Sequence, residues 1–265
     1  MSAGLLAGSA ALVLALMTGL WVVSVVRRDA SIVDPWWSIA FLVVTIHTVA
    51  RTGLTPVKAL LLVLVATWAL RLFLHLLLRS RGKPEDPRYA AFRRHFGADR
   101  YWWVSFFQVF LLQGLLVVLI STPLQLVAAA PPPHPITALH ALGTLVFAVG
   151  FAFEAIADHQ LVAFRSDPSR RGQVLDTGLW RFSRHPNYFG EALLGWGLWI
   201  LALDQPHGWA SALAPAVMTW LLVKVSGVAM LDRLLSRTRP GYADYMARTP
   251  GFVPWPWPWP ARRKV

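Results

Sequence analysis

The chain has 265 residues, of which 56% are hydrophobic and only 14% are charged, and its mean hydropathy is +0.50. This balance argues against a soluble domain and predicts an all-α, polytopic membrane protein. The formal net charge of +12 would suggest nucleic-acid binding in a soluble protein. Here the cations lie in short loops between apolar stretches, so we expect membrane lipids rather than nucleic acid as their partners.

Seven apolar stretches approach the roughly 20 residues that cross a bilayer core. In chain order they are residues 4–26, 32–50, 57–78, 102–127, 137–157, 188–203 and 209–231. The first stretch is longer than a signal-peptide core and has no basic residue before it, which predicts a retained span. We therefore predict a single membrane domain over residues 1–265, with four spans in 1–130 and three spans in 137–265.

Basic residues are distributed very unevenly between the two sides of this predicted bundle. If the seven spans alternate, one side receives the cations of residues 27–28, 79–100, 165–184 and 233–264, while the other side receives only Arg51 and Lys58. The positive-inside rule then places the N-terminus outside and the C-terminus in the cytoplasm. The chain has no cysteine, which excludes disulfides and thiolate metal sites, and we expect no metal.

Ionisable residues inside the spans are candidates for function, because lipid makes them energetically expensive. Arg71 and His75 lie four residues apart in the third stretch, which puts them on one face of a helix. Arg71 could alternatively extend its side chain to the interface. Glu154 and Asp158 are also one turn apart at the end of the fifth stretch, where helix capping is the alternative. Gln108 and Gln113 could belong to a functional site or could form hydrogen bonds between helices, and the sequence allows either interpretation.

The densest group of polar residues is the segment Ser-Arg-His-Pro-Asn-Tyr-Phe-Gly-Glu at residues 183–191. Its proline can begin a helix, and Arg184 and His185 supply cationic donors just before that helix. Beyond the last stretch, more donors and aromatic rings lie at the same predicted cytoplasmic end. Together these side chains could hold a large anionic cofactor, although contact with lipid head groups is the alternative for the arginines. The residues in question are Arg233, Arg237, Tyr242 and Tyr245.

This segment resembles the signature of the steroid 5-alpha-reductase C-terminal-domain family, particularly its bacterial branch. The likeness extends to Asp34 with the tryptophans that follow, and to residues 71–82, 85–89, 101–114, 158–164 and 240–254. It implies a seven-helix bundle of the bacterial cytoplasmic membrane that reduces an activated C=C bond of a lipophilic, enone-like substrate. NADPH would be the cofactor, held at the cytoplasmic side.

The resemblance also implies roles for individual residues. Asn187 and Glu191 match the pair expected near the nicotinamide ribose and amide, and Arg165 matches an arginine expected at a cofactor phosphate. The full cofactor set is Asp158, Arg165, Arg184, His185, Asn187, Tyr188, Glu191, Arg233, Arg237, Tyr242 and Tyr245. For the substrate we expect Trp37, Trp68, Gln108 and Gln113. Candidates for catalysis are Asp34, His75 and Tyr101 as acids, with Arg71 stabilising the developing oxyanion.

A second family shares part of the same segment. Isoprenylcysteine carboxyl methyltransferases and phospholipid methyltransferases also carry Arg-His-Pro-x-Tyr before a short span, and there it binds S-adenosylmethionine. They end in a Glu-Glu pair after the last span, whereas this chain offers only Asp232 there. A lipid-binding protein without catalytic activity is the third possibility, and it would bind no nucleotide.

Overall fold

The computed structural model describes residues 2–133, 135–225 and 227–255, which form helices and connecting turns with no β-strand in these ranges. The α-helices are α1 (Ala3–Arg27), α2 (Val33–Thr52), α3 (Pro56–Ser80), α4 (Pro87–Phe96), α5 (Ala98–Ser105), α6 (Leu112–Ile120), α7 (Thr122–Ala129), α8 (Ala138–Ser166), α9 (Pro186–Ala202), α10 (Leu213–Trp220), α11 (Val228–Thr238) and α12 (Tyr242–Arg248). Short 3-10 helices cover Ala30–Ile32, Pro168–Arg170, Gly178–Arg181 and Gly208–Ala212, and π-helical segments cover Phe106–Leu111 and Leu221–Val225.

Six stretches within the described ranges are long and apolar enough to cross a membrane, which confirms a polytopic helical membrane protein. They are Ala3–Arg27, Ala30–Thr52, Pro56–Ser80, Ala98–Ile120, Ala138–Ser166 and Gly208–Thr238. The predicted sixth span corresponds to α9, which has only 17 residues and so falls short of the usual length. The orientation of the chain across the membrane stays a prediction.

The predicted span 102–127 is corrected by the structure at both ends. A continuous helical stretch runs from Ala98 to Ile120, and the chain then breaks at Ser121 before α7 begins. The break follows from local sequence, because Pro123 lies in the first turn of α7 and lacks the amide that would continue the preceding helix.

Hydroxyl and carboxylate caps explain where several helices begin. The Thr55 side chain accepts from the Lys58 amide and is followed by proline at the start of α3. The Asp86 side chain accepts from the Arg88 amide at 2.9 Å, again with proline at the first helical position of α4. Such caps satisfy amides that have no partner within the helix. They fix the start of α4, whose first residues enter the site described below.

The described chain forms two compact units, one of residues 1–137 with 205–208 and one of residues 138–204 with 209–265. In the N-terminal unit, α2 packs against α1, α3 and α7, and α1 also packs against α6. Lys58 is fully buried in this unit, and its ammonium donates to the carbonyls of Thr52 and Gly53 at 3.2 and 3.1 Å. A cation there stabilises the C-terminal end of α2.

In the C-terminal unit, glycines allow α8 and α9 to lie backbone to backbone. A Cβ atom on Gly150 would lie 2.4 Å from the amide nitrogen of Leu194, and one on Gly190 would lie 2.4 Å from that of Glu154. Seven residues before Gly150 on α8 and seven residues after Gly190 on α9, Gly143 and Gly197 repeat the arrangement. Small residues at this spacing let helices approach closely and gain packing energy where lipid provides no hydrophobic driving force.

We expect Gly190→Ala to destabilise the protein by about 1–3 kcal/mol, because the methyl group must push the two backbones apart. Gly195→Ala on the same helix is the matched control, since its methyl group would meet only the flexible Met218 sulfur at 3.3 Å. The control should be neutral or should gain up to about 1 kcal/mol of helix propensity. Thermal unfolding in detergent compares them, and equal melting temperatures for both variants would contradict the packing account.

Candidate functional site

The C-terminal unit brings the end of α8 and the beginning of α9 together at a polar contact. The Asn187 side-chain amide donates to Asp158 Oδ1 at 3.1 Å. Asp158 is buried, with 4% of its surface exposed, although it lies near the polar end of a 29-residue helix that exceeds the length needed to cross a bilayer. Two of the predicted cofactor residues are therefore direct neighbours, on two helices that the glycine contact holds in register.

One atom of this pair is buried without a partner. Asn187 Oδ1 is shielded from solvent and accepts no hydrogen bond from any residue that the structure describes. A buried amide oxygen left in this state costs about 1–3 kcal/mol. A ligand carrying an N–H donor would recover that cost, so the contact is suited to hold an amide or amino group.

Other predicted cofactor residues lie on the same two helices. Tyr188 stacks on the His185 ring, with ring centroids 5.6 Å apart and planes 3° apart. Glu191 is partly buried on α9, one helical turn beyond Asn187, and Arg165 is exposed near the end of α8. Their four-residue spacing leaves Asn187 and Glu191 on one face of α9.

Arg184 lies in a different environment from the one expected of a phosphate donor. Its Nε and Nη2 atoms donate to the two oxygens of Asp232 at 3.3 and 2.6 Å. Its Nη1 donates to the carbonyls of Met246 and Thr249 at 3.1 and 2.5 Å. The Arg184 side chain, 11% exposed, thus joins the segment before α9 to α11 and to the C-terminal end of α12. These contacts favour a positioning role over direct contact with a phosphate.

Asp232 is the centre of this cluster, and its position after the predicted stretch 209–231 was the only feature of the sequence that pointed to it. Besides Arg184, it accepts from the Tyr242 hydroxyl at 2.7 Å and pairs with His185 Nε2 at 3.0 Å. Burial and the bond to Asp232 raise the pKa of Tyr242 well above its usual value, so its hydroxyl stays protonated and donates at neutral pH. The predicted cofactor residues His185 and Tyr242 are therefore engaged within the protein.

Tyr245 completes the same framework. It is 1% exposed, and its hydroxyl donates to the carbonyl of Trp180 and lies 3.3 Å from that of Ser183. Burial raises the pKa of its phenol above the usual value. Tyr245 fastens α12 to the segment before α9, whereas Tyr242 fastens α12 to α11, and neither offers a free donor. Arg233 and Arg237, by contrast, are exposed on α11.

The N-terminal unit contains a second polar cluster. Asp34 Oδ1 accepts from the Tyr89 hydroxyl at 2.6 Å, and its Oδ2 accepts from Arg88 at 2.7 Å. Gln113 in turn donates to the Tyr89 oxygen at 3.3 Å. Burial, followed by the charge of Asp34, raises the pKa of Tyr89 well above its usual value. Both oxygens of Asp34 are thus occupied, which favours a positioning role for the predicted acid.

A neighbouring ion pair anchors α4 and passes beside the predicted acid Tyr101. Glu85 accepts from the guanidinium of Arg93 at 2.8 and 2.9 Å and from the Ala30 amide at 2.8 Å. The same guanidinium lies 4.6 Å from the centroid of the Tyr101 ring, a distance typical of a cation–π contact. Arg88, Tyr89 and Glu85 are residues to which the sequence assigned no role, although they lie in a segment that carried the family resemblance.

Three predicted site residues of the N-terminal unit hold buried polar atoms without a partner among the described residues: Trp68 Nε1, Tyr101 OH and Gln108 Oε1. Trp68 and Tyr101 are 2% and 1% exposed. Gln108 lies in the π-helical segment Phe106–Leu111, a feature that often marks functional sites. Two donors and an acceptor left in this state are suited to bind a polar group of a ligand.

The remaining predicted catalytic and substrate residues of the N-terminal unit lie on α2 and α3. Arg71 and His75 are partly buried one turn apart on α3. Trp37 packs edge-on against Phe41, with ring centroids 4.7 Å apart. The structure assigns no chemistry to these three, and their roles stay predictions. Within the described ranges, no three histidine or carboxylate side chains are grouped so that they could hold a metal ion.

We expect Asp232→Asn to destabilise the protein by about 3–5 kcal/mol, because it leaves the buried Arg184 charge without its counter-ion. The matched control is Asp176→Asn, which breaks an exposed pair with Arg248 whose side chains are 40% and 46% exposed. An exposed pair contributes about 0–1 kcal/mol. Thermal or denaturant unfolding in detergent measures both, and equal losses would contradict a structural role for the Arg184–Asp232 cluster.

Comparison with known proteins identifies a family. The family model described as "Protein of unknown function (DUF1295)" matches residues 20–249. No curated protein and no solved structure gives a significant match. The matched region includes both polar clusters.

Proposed function

The chain belongs to the DUF1295 family, and we propose that it is an NADPH-dependent reductase of an activated C=C bond in a lipophilic, enone-like substrate. The proposal places the enzyme in the cytoplasmic membrane of a bacterium. It rests on the resemblance of residues 183–191 to the steroid 5-alpha-reductase signature and on the chemistry of the two polar clusters. The observation that carries most weight is the buried, unpartnered oxygen of Asn187.

That oxygen fits one end of the proposed cofactor. A nicotinamide ring carries a carboxamide whose N–H groups are hydrogen-bond donors. Asn187 Oδ1 is a buried acceptor that receives no hydrogen bond from the described residues. Asn187 is itself held by its bond to Asp158 at 3.1 Å, so its oxygen is fixed before a ligand arrives. Glu191 on the same face would bind a ribose hydroxyl, and Arg165 would pair with a phosphate.

The proposed substrate groups belong to the N-terminal unit. An enone presents a carbonyl oxygen that needs donors as negative charge develops on it, and the Tyr101 hydroxyl and the Trp68 indole N–H are buried donors without partners. We assign Tyr101 as the residue that hydrogen-bonds this oxygen. Arg93, 4.6 Å from the Tyr101 ring centroid, stabilises negative charge near the hydroxyl.

Bound NADPH would supply a hydride to the β carbon of the C=C bond. The protein supplies the remaining elements of the reaction: it orients the carbonyl and stabilises the enolate oxygen through Tyr101. The enolate then takes a proton from water at the α carbon, so that one hydride and one proton have been added across the double bond. Asp34 orients Tyr89 and Arg88 and does not itself donate.

The arrangement is less suited to the methyltransferase alternative. The carboxylate that follows the predicted stretch 209–231, Asp232, already accepts from Arg184 and Tyr242 and pairs with His185. No free oxygen of that residue remains for the ammonium group of S-adenosylmethionine. Stabilisation by that cofactor alone would nevertheless reverse our preference.

We expect NADPH to raise the melting temperature of the protein in mild detergent, because a ligand that binds only the folded state stabilises it. Asn187→Ala should lose most of this shift, since it removes the acceptor. Trp199→Phe is the matched control, because it removes another buried and unpartnered polar atom from the same helix, further from the predicted cofactor contacts. The control should keep the full shift.

The same assay separates the alternatives. A shift with S-adenosylmethionine and none with NADPH would replace the reductase by a methyltransferase. A full NADPH shift in Asn187→Ala would show that the cofactor binds elsewhere. If neither compound has an effect, the lipid-binding alternative without catalytic activity takes precedence.

We also expect Tyr101→Phe to leave the folded protein as stable as the wild type, or more stable by about 1 kcal/mol, because the lost hydroxyl makes no bond within the described protein. Tyr245→Phe is the control: it removes a hydroxyl bonded to two carbonyls and should destabilise by about 1–2 kcal/mol. Unfolding measurements compare the two variants.

With an enone that the wild type reduces, Tyr101→Phe should lower kcat by about 100-fold or more. A destabilised Tyr101→Phe variant with full activity would contradict the assignment.

A further inference from the structure

A cavity in the C-terminal unit has no part in the proposed reaction, and we propose that it binds the phosphate group of an anionic phospholipid. The cavity has a volume of about 340 Å³ and lies along α11 and the π-helical segment before it. Three cations line it, together with apolar side chains. The cations are Lys224, Arg233 and Arg237, and the larger apolar residues are Val225, Met230 and Leu234.

The positive charge of this cavity is not compensated by the protein. Among the residues that the structure describes, no carboxylate forms an ion pair with any of the three cations. The carboxylate next in sequence, Asp232, is turned to the buried side of α11, where Arg184, His185 and Tyr242 occupy it. An anionic ligand is therefore the natural counter-charge for the cavity.

The geometry of α11 suits a phosphate. Arg233 and Arg237 are one helical turn apart on one face, so two guanidinium groups can approach the same group of oxygens. Lys224 reaches the cavity from the π-helical segment Leu221–Val225, whose extra residue per turn changes the direction in which the following side chains point. Arginine pairs supplemented by lysine are typical of phosphate recognition.

The surroundings point to a lipid rather than a soluble phosphate. The three large apolar side chains in the lining would contact the glycerol and acyl part of a phospholipid, whereas a free phosphate or nucleotide phosphate needs no such lining. The cavity is lined by the C-terminal half of the last membrane-spanning stretch, Gly208–Thr238. Basic pockets at this level of a membrane protein, on the side predicted to be cytoplasmic, attract anionic head groups.

Native mass spectrometry of the full-length protein tests the proposal, with phosphatidylglycerol and phosphatidylcholine added to detergent-purified samples. We expect tight binding of one phosphatidylglycerol and much weaker binding of phosphatidylcholine. Arg233→Gln with Arg237→Gln should weaken phosphatidylglycerol binding at least tenfold. The control, Arg171→Gln with Arg239→Gln, removes the same charge from exposed positions of the same unit outside the cavity and should bind like the wild type.

Further measurements distinguish a lipid phosphate from a soluble phosphate and from the phosphate of the cofactor. Glycerol 3-phosphate carries the group without acyl chains and should not compete at concentrations similar to those of the lipid. Equal phosphatidylglycerol binding by the cavity variant and the wild type would overturn the proposal, as would equal binding of both lipids. Loss of the NADPH-induced melting shift in the cavity variant, with lipid binding intact, would assign the cavity to the cofactor instead. If the double variant does not fold, Arg237→Gln alone, at the exposed end of α11, carries the same comparison.

Discussion

The close contact between α8 and α9 is the constraint on which the C-terminal unit depends. Four glycines spaced seven residues apart, two on each helix, let the backbones touch, and a methyl group at any of these positions would meet atoms within 3 Å. This contact sets the register of the two helices and so determines that Asn187 lies beside Asp158. The candidate cofactor contact thus follows from backbone packing, and its polar side chains need no adjustment of their own to meet.

A second interaction, the Arg184–Asp232 ion pair, holds the segment that leads into α9. The buried Arg184–Asp232 pair joins the segment before α9 to α11, and bonds from Arg184 to two backbone carbonyls continue the connection past α12. A buried pair of this kind contributes little net stability, but it allows only one arrangement of the segments it connects. Asn187 is therefore held from both directions, by helix packing and by the segment that leads into α9.

How far the sequence predicts the structure differs between elements. Hydropathy and the length of the apolar stretches were sufficient for the all-α membrane fold, because lipid imposes these properties directly. They also gave the short sixth stretch, residues 188–203, to within two residues of α9. They failed at Ser121, where a proline in the first turn of α7 ends the preceding helix. For the site, the four-residue spacing of Asn187 and Glu191 is enough to place them on one face once a helix is expected there. It could not show that Arg184 binds Asp232, since 48 residues separate them and the partner of a cation is set by tertiary packing.

Hydrogen–deuterium exchange with and without NADPH tests most directly the central claim, that the α8–α9 contact holds a nicotinamide cofactor. The account predicts slower exchange on addition of NADPH in peptides covering residues 154–166 and 184–191, with no effect of S-adenosylmethionine. Exchange that is unchanged in both segments at saturating NADPH, or protected there by S-adenosylmethionine alone, would contradict it.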